Sequence, residues 1–132
     1  MNETSIHGNV TSAPELSFGR NGDGKAFATF TVAVNRGYFD RQRNQRVQQP
    51  TVFHQIVAFG TLAENAAASL TKGTTVTVTG EIEDDSYTPD GWDKPIRRHR
   101  VKAFDIAVSL RWATAEVAKN PRIADARDAA AA

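Results

Sequence analysis

The block from Phe53 to Glu64, with the sequence Phe-His-Gln-Ile-Val-Ala-Phe-Gly-Thr-Leu-Ala-Glu, most strongly constrains how this chain can fold. Its first seven residues have the composition of a β-strand, in which successive side chains point to opposite faces. Four residues therefore share one face: Phe53, Gln55, Val57 and Phe59. Gly60 then interrupts the strand, and Thr61-Leu-Ala-Glu64 has the spacing of a helix capping box. The block predicts a strand, a turn and a short helix, with two aromatic rings on a half-polar face.

Composition limits the classes of protein to which the chain can belong. Its 132 residues suit one domain with a tail, and the 40% hydrophobic content without a long apolar run favours a soluble protein with no membrane partner. The chain has no cysteine, so disulfides and thiolate metal sites are excluded and the cytosol is the expected compartment. No secretory or transit peptide is visible after Met1.

Charge is nearly balanced overall but is segregated along the chain. A net charge of +1 is not the profile of a strongly basic duplex-binding protein. Local fields are nevertheless what a polyanion meets. Three charged groups stand out: the basic Arg36, Arg41, Arg43 and Arg46; the basic Arg97, Arg98, His99, Arg100 and Lys102; and the acidic Glu81, Glu83, Asp84 and Asp85.

Hydrophobic alternation predicts five strands and one helix. The strands are predicted at Thr4–Val10, Ala26–Asn35, Thr51–Phe59, Thr74–Glu83 and Lys94–Phe104, and the helix at Leu62–Thr71. Turns are expected at Asn21–Gly24 and Pro89–Gly91, and residues 37–50 are either a long polar loop or an extended hairpin tip. The predicted core positions are Phe30, Val32, Val34, Val76, Val78, Ile82 and Val101. Five strands with one helix after the third is the order of the OB-fold, a small all-β Greek-key barrel.

The chain divides into three parts in this interpretation. Residues 1–108 form the OB domain, and residues 109–119 form either a helix or a further strand. Residues 120–132 are polar and Ala-rich, and we expect a mobile tail there.

No motif of an enzyme is present, so catalysis, a cofactor and a metal site are not expected. The sequence has neither a phosphate loop nor a dinucleotide-binding glycine motif. Asn21–Gly24 resembles the start of a calcium loop, but Ala26 and Val32 occupy the positions at which such a loop needs Gly and Glu. His7, His54 and His99 lack metal-ligand spacing.

The chemistry that is present suits single-stranded nucleic acid, which proteins hold with cationic grooves and stacking aromatic rings. The candidate stacking residues are Tyr38, Phe53, Phe59 and Tyr87, and the candidate phosphate-binding residues are Arg36, Arg41, Arg43, Arg98 and Arg100. Any one of these arginines could be an ordinary solvated side chain, and Phe59 could equally be a core residue. The hypothesis therefore depends on their placement together.

Over about residues 1–110 the chain resembles the bacterial single-stranded DNA-binding protein family. The matching segments are Gly8–Val10, Ala13–Leu16, Ala28–Ala33, Phe53–His54, Phe59–Glu64, Leu70–Gly73 and Val76–Gly80. The resemblance implies non-catalytic, largely sequence-independent binding of single-stranded DNA in replication, repair or recombination. It also implies a homotetramer built as a dimer of dimers. The family's stacking residues fall on Tyr38, Phe53, Phe59 and Tyr87, all aromatic here.

The resemblance assigns three further residues to assembly rather than to DNA. His54 matches a histidine at the family's subunit interface. Ser109–Ala115 is similar to a segment of actinobacterial members that forms an extra strand clamping neighbouring subunits, which places Leu110 and Trp112 in the oligomer. The acidic C-terminal tip through which family members recruit replication and repair enzymes is not seen, so the chain resembles a tail-less secondary member or a shortened one.

The acidic residues before Tyr87 favour a second hypothesis. The family commonly has basic residues there, whereas Glu81–Asp85 would repel phosphate unless the basic residues of the next strand compensate. An OB-fold protein-interaction module of the primosomal type, with weak nucleic-acid affinity, is therefore the alternative. RNA binding shares every motif and stays open as well.

Overall fold

The computed structural model describes residues 3–19 and 25–121. Its elements are β1 Glu3–Val10, β2 Glu15–Phe18, β3 Ala26–Asp40, β4 Gln45–Phe59, α1 Gly60–Ser69, β5 Thr75–Asp84 and β6 His99–Val108. The predicted turn at Asn21–Gly24 and residues 122–132 of the predicted tail lie outside the described residues. Within the described ranges, no helix is long and apolar enough to cross a membrane.

The sheet closes on itself, which confirms the predicted OB-fold barrel. Its strand order is β1-β5-β6-β4-β3-β2, and β1 also pairs with β3 through Asn9↔Ala33 and Val10↔Val32. Five long strands thus form a ring, with the helix after the third of them. The short strand β2, which we did not predict, pairs only with the beginning of β3.

Alternate residues of the long strands fill the barrel. The buried core includes Ile6, Val10, Phe30, Val32, Ile56, Val76, Val78 and Val101, with Ala63, Ala66 and Leu70 contributed by α1 and the residue after it. Val34 is partly buried against this core. Gly80 lies where a Cβ would overlap the carbonyl oxygen of Lys102, so the close approach of β5 to β6 requires glycine. The predicted core position Ile82 is wrong, since it is 42% exposed where β5 extends past the barrel.

Strands β3 and β4 continue beyond the barrel as a long hairpin arm, residues 35–50, which settles the choice left open by the sequence. The arm begins at a β-bulge, where the register changes between Val34 and Arg36. Pro50 has no N–H to donate to a ladder, which suits this irregularity. At the tip, the Asp40 carboxylate accepts hydrogen bonds from the backbone N–H groups of Gln42 (3.0 Å) and Arg43 (3.3 Å).

The helix begins two residues earlier than predicted. The chain leaves β4 through Gly60 at φ 66°, a conformation that glycine adopts without strain. Phe59 is the N-cap, and no side-chain hydrogen bond caps the helix. Thr61 is already helical, so the predicted capping box is wrong. The helix ends at Ser69 rather than Thr71.

The last strand and the segment after it also differ from prediction. Strand β6 begins at His99 rather than Lys94 and continues to Val108, while Tyr87 and Ile96 form an isolated bridge ahead of it. Residues 109–121 have neither helix nor strand in this single chain, so neither the helix nor the strand predicted for residues 109–119 is present in it. This C-terminal segment crosses a cleft of about 1000 Å³ beside the α1–β5 loop. Asn120 Nδ2 donates to Asn65 Oδ1 at 3.0 Å.

Candidate nucleic-acid interface

One face of β3 and β4 points away from the core and carries two of the four predicted stacking residues, Phe53 and Phe59. Because Ala28, Phe30, Ile56 and Ala58 fill the barrel, the alternate residues lie on the opposite face of the sheet, where Val57 is nevertheless buried. The cross-strand pairs of this outer face are Phe27↔Phe59, Thr29↔Val57, Thr31↔Gln55 and Ala33↔Phe53. The face predicted for Phe53, Gln55, Val57 and Phe59 is therefore confirmed.

Phe53 and Phe59 stand at opposite ends of this row and differ in exposure. Phe53 is 64% exposed opposite the small Ala33, so one face of its ring is open to a flat ligand. Phe59 is half-buried against Phe27, with ring centroids 6.4 Å apart at an interplanar angle of 41°. Between them, Thr31 Oγ1 donates to Gln55 Oε1 at 3.1 Å. The outer face thus offers an aromatic ring at each end and fixed polar groups in the middle.

Two lysines converge on the Phe59 ring from different elements. Lys25 Nζ and Lys102 Nζ each lie 5.6 Å from the ring centroid. Lys25 directly precedes β3, and Lys102 lies on β6 beside Val57 in parallel register. We named neither lysine nor Phe27 as a site residue from the sequence, because only the fold brings residues so distant in sequence to one ring.

The hairpin arm carries Tyr38 and three of the predicted arginines. Tyr38 is 53% exposed and lies opposite Val47, and Arg36 lies opposite Gln49. Arg41 and Arg43 occupy the turn at the tip, where Arg43 Nε is 3.8 Å from the Asp40 carboxylate. Arg36 and Arg41 form no ion pair within the described part of the chain. The arm therefore projects a ring and exposed cations beyond the barrel.

The fourth predicted ring, Tyr87, is already covered on one side. The Arg98 guanidinium lies 4.7 Å from its ring centroid. Arg98 is itself fixed by Asp85, through a 3.0 Å ion pair and a 3.1 Å hydrogen bond from Nε to the backbone oxygen. Tyr87 is 46% exposed, so its uncovered side remains accessible.

The acidic residues before Tyr87 are paired with the basic strand. Glu83 and Arg100 are cross-strand partners and form an ion pair, and Arg100 also lies 4.0 Å from Asp85. Asp84 accepts a hydrogen bond from the backbone N–H of Ser86 at 2.8 Å. Hydrogen bonding to Ser86 lowers the pKa of the Asp84 carboxyl, which therefore stays ionised. Arg98 and Arg100 therefore compensate two of the four acidic side chains, Glu83 and Asp85.

The residues assigned to assembly lie apart from the outer aromatic row. His54 is half-buried opposite Val32, on the core side of β4. Leu110 is 64% exposed and Trp112 is 80% exposed, with the Arg111 guanidinium 4.9 Å from the Trp112 ring. Among the described residues, no group of three or more His, Cys, Asp or Glu side chains could hold a metal ion.

Comparisons with known proteins agree with this geometry. Residues 1–108 match the model of the single-strand binding protein family. A single-stranded DNA-binding protein of Paenarthrobacter aurescens is 40% identical over 118 residues, which cover 89% of this chain and 67% of the relative. The protein of the same name from Mycolicibacterium smegmatis is 38% identical over 118 residues, covering 89% of this chain and 69% of the relative.

Solved structures show the same architecture. The small single-stranded DNA-binding protein from Streptomyces coelicolor superposes with a TM-score of 0.65 at 29% identity, covering 83% of this chain and 97% of that one. A Plasmodium falciparum SSB in complex with single-stranded DNA gives a TM-score of 0.69 at 23% identity, with coverage of 83% and 95%, and supports the fold alone. Because the family model spans most of the chain and the relatives are this similar, the chain belongs to the single-strand binding protein family.

Proposed function

We propose that this protein binds single-stranded DNA without catalysis and with little sequence preference, and protects it during replication, repair or recombination. The outer face of β3 and β4 carries this proposal, because it combines accessible aromatic rings with cations from three separate parts of the chain. Family membership and relatives named for single-stranded DNA binding support the same function.

In the proposed complex, bases stack on Phe53, Phe59, Tyr38 and Tyr87. Each stacked base contributes about 1–3 kcal/mol as measured by substitution. A lysine over an exposed ring contributes only about 0.5–1 kcal/mol, so a base can displace the lysines that cover Phe59. Arg36, Arg41, Arg43, Arg98 and Arg100 face phosphates, the last two by exchanging a carboxylate partner for a phosphate.

We propose further that the working unit is a homotetramer, a dimer of dimers. It would act in the cytoplasm, in association with the nucleoid. His54 would lie at a subunit interface, and Leu110 and Trp112 would pack against a neighbouring subunit. The high exposure of Leu110 and Trp112 in the single chain supports a neighbouring subunit at this place, since burial of such side chains is favourable.

The protein-interaction alternative has less support than the sequence suggested. It depended on repulsion between the acidic run and phosphate, and Glu83 and Asp85 are both ion-paired with arginines. A partner protein of the primosomal type therefore becomes the hypothesis to adopt only if binding of single strands fails.

Fluorescence anisotropy of labelled oligo-dT tests the proposal. We expect binding that a DNA duplex does not compete away. The slope of log affinity against log salt concentration should be about −0.7 for each phosphate contact. Negligible binding at low salt would overturn the proposed function. A matched oligo-U competitor distinguishes DNA from RNA, since stronger competition by the RNA would reassign the ligand.

A further inference from the structure

We propose that Lys25 and Lys102 bind the phosphates on either side of a base stacked on Phe59, so that these lysines and Phe27 form a binding subsite at the β3–β4–β6 junction. This inference rests on the proposed function, adds Lys25 and Phe27 to the site, and gives Lys102, known from the sequence only as part of a basic run, a specific role. The main evidence is that the ammonium groups of both lysines lie 5.6 Å from the centroid of the same ring.

The charge around Phe59 is suited to an anion. Each ammonium lies 5.6 Å from the same centroid, so the two can be at most about 11 Å apart and repel each other. An anionic group bound beside the ring would relieve this repulsion. A DNA strand supplies such groups at both sides of every base, which a single small anion does not.

Lys102 differs from the two arginines of its own neighbourhood because its charge is not compensated by a close carboxylate. Arg98 and Arg100 are ion-paired with Asp85 and Glu83. Glu81 lies opposite Lys102 in the β5–β6 register, yet the two form no ion pair among the described residues. Neutralising a phosphate with Lys102 therefore releases a counterion without first breaking a salt bridge.

The lysines can move from the ring to a phosphate without moving the backbone. Lysine is a compact charge on a flexible four-carbon stem, and the stem can stay against Phe59 while the ammonium swings aside. Phe27 lies next to Phe59 at 6.4 Å and extends the apolar surface toward the start of β3. The strand would thus pass over both rings between the two lysines.

The test compares charge-removing variants in the full chain. We expect K25Q and K102Q each to reduce the slope of log affinity against log salt by about 0.7, and to weaken oligo-dT binding roughly fivefold at 0.1 M salt. The double variant should lose about 1.4 of slope and roughly 25-fold in affinity. K102R, which keeps the charge, should retain the wild-type slope.

Lys72 provides the matched control, because it is an exposed lysine that lines the cleft beside the C-terminal segment. K72Q should change neither slope nor affinity, and thermal melting of each variant verifies folding. Wild-type binding with unchanged slopes in K25Q and K102Q would overturn the subsite alone. Tighter binding in either variant would show that the lysines compete with the base, which also overturns it. Failure of the wild type to bind would instead overturn the proposed function.

Discussion

Phe53 and Phe18 are similarly exposed, but only Phe53 lies on the proposed binding face, so the two test whether binding depends on that face. Phe53 is 64% exposed on the outer face of β4, and Phe18 is 57% exposed on β2 opposite Ala26, whose side chain faces the core. We expect Phe53→Ala to weaken oligo-dT binding by about 1–3 kcal/mol, because it removes one stacking ring. This corresponds to roughly 5- to 150-fold in affinity, measured by anisotropy.

Phe18→Ala is the control for that change, since it removes a ring of the same size and similar exposure from a different face. Its affinity should match the wild type. Both variants should melt as cooperatively as the wild type, because neither ring belongs to the buried core. A folded Phe53→Ala protein with wild-type affinity would remove Phe53 from the site.

Asp85 controls how much positive charge the β5–β6 region presents. Its carboxylate pairs with Arg98 at 3.0 Å and lies 4.0 Å from Arg100. Asp85→Asn removes this charge while keeping the backbone oxygen that holds Arg98 Nε. We expect roughly fivefold tighter binding at 0.1 M salt and a slope steeper by about 0.7, because an arginine becomes available to phosphate.

The exposed Glu64 on α1 supplies a comparison of equal charge change. Glu64→Gln also raises the net charge by one but lies outside the proposed site, so it tests whether overall charge alone is responsible. Equal tightening in the two variants would argue for a general electrostatic effect. Weaker binding by Asp85→Asn would mean that the carboxylate positions Arg98 on Tyr87 for binding.

We expect the barrel to fold without the hairpin arm. All buried hydrophobic residues lie outside residues 35–50, and Arg36 and Gln49 face each other in register. Replacing residues 37–48 with Asn-Gly would join these two partners by a two-residue turn of the type that hairpins favour. We expect a melting temperature within a few degrees of the wild type and at least tenfold weaker oligo-dT binding, since Tyr38, Arg41 and Arg43 are lost.

Circular dichroism melting and anisotropy on the same sample would decide the matter. Loss of the folded barrel in the shortened protein would mean that the arm stabilises the domain. Unchanged affinity would show that the strand does not run along the arm.

Strands could be predicted from the sequence where the alternation of apolar and polar residues matches the alternation of buried and exposed side chains. The outer face of β4 followed from alternation, because Phe53 and Phe59 have the parity opposite to that of Ile56 and Ala58; alternation did not predict that Val57, on the same face, is buried. The short strand β2 was missed, since Glu-Leu-Ser-Phe has four residues, all exposed. The capping box failed because the positive φ of Gly60 starts the helix before Thr61.

The subsite around Phe59 was not predictable, for a different physical reason. Lys25, Phe59 and Lys102 are far apart in sequence, and only closure of the barrel brings them to one ring. The salt bridges of the acidic run likewise depend on the antiparallel register between β5 and β6. Sequence patterns identify faces within one strand, whereas charge compensation depends on which strands become neighbours.

At the scale of the whole molecule, the C-terminal segment leaves large apolar side chains exposed to solvent in the single chain. Trp112 is 80% exposed and Val117 is 85% exposed, and residues 109–121 have no regular secondary structure. The barrel does not need them, since every buried core residue lies between Ile6 and Ala103. Their apolar surface is thus available to a neighbouring subunit, as the proposed clamp requires.

Ending the chain after Val108 tests this clamp. Burying a tryptophan removes about 150–250 Å² from water, worth about 4–6 kcal/mol at 25 cal/mol per Å² before ordering costs. We expect the shortened protein to dissociate at a higher concentration than the full chain, as measured by light scattering across a dilution series. Trp112→Ala in the full chain should shift dissociation in the same direction by a smaller amount. If the shortened protein had the same mass as the full chain at every dilution, assembly would depend entirely on the barrel. His54 would then be the residue to examine next.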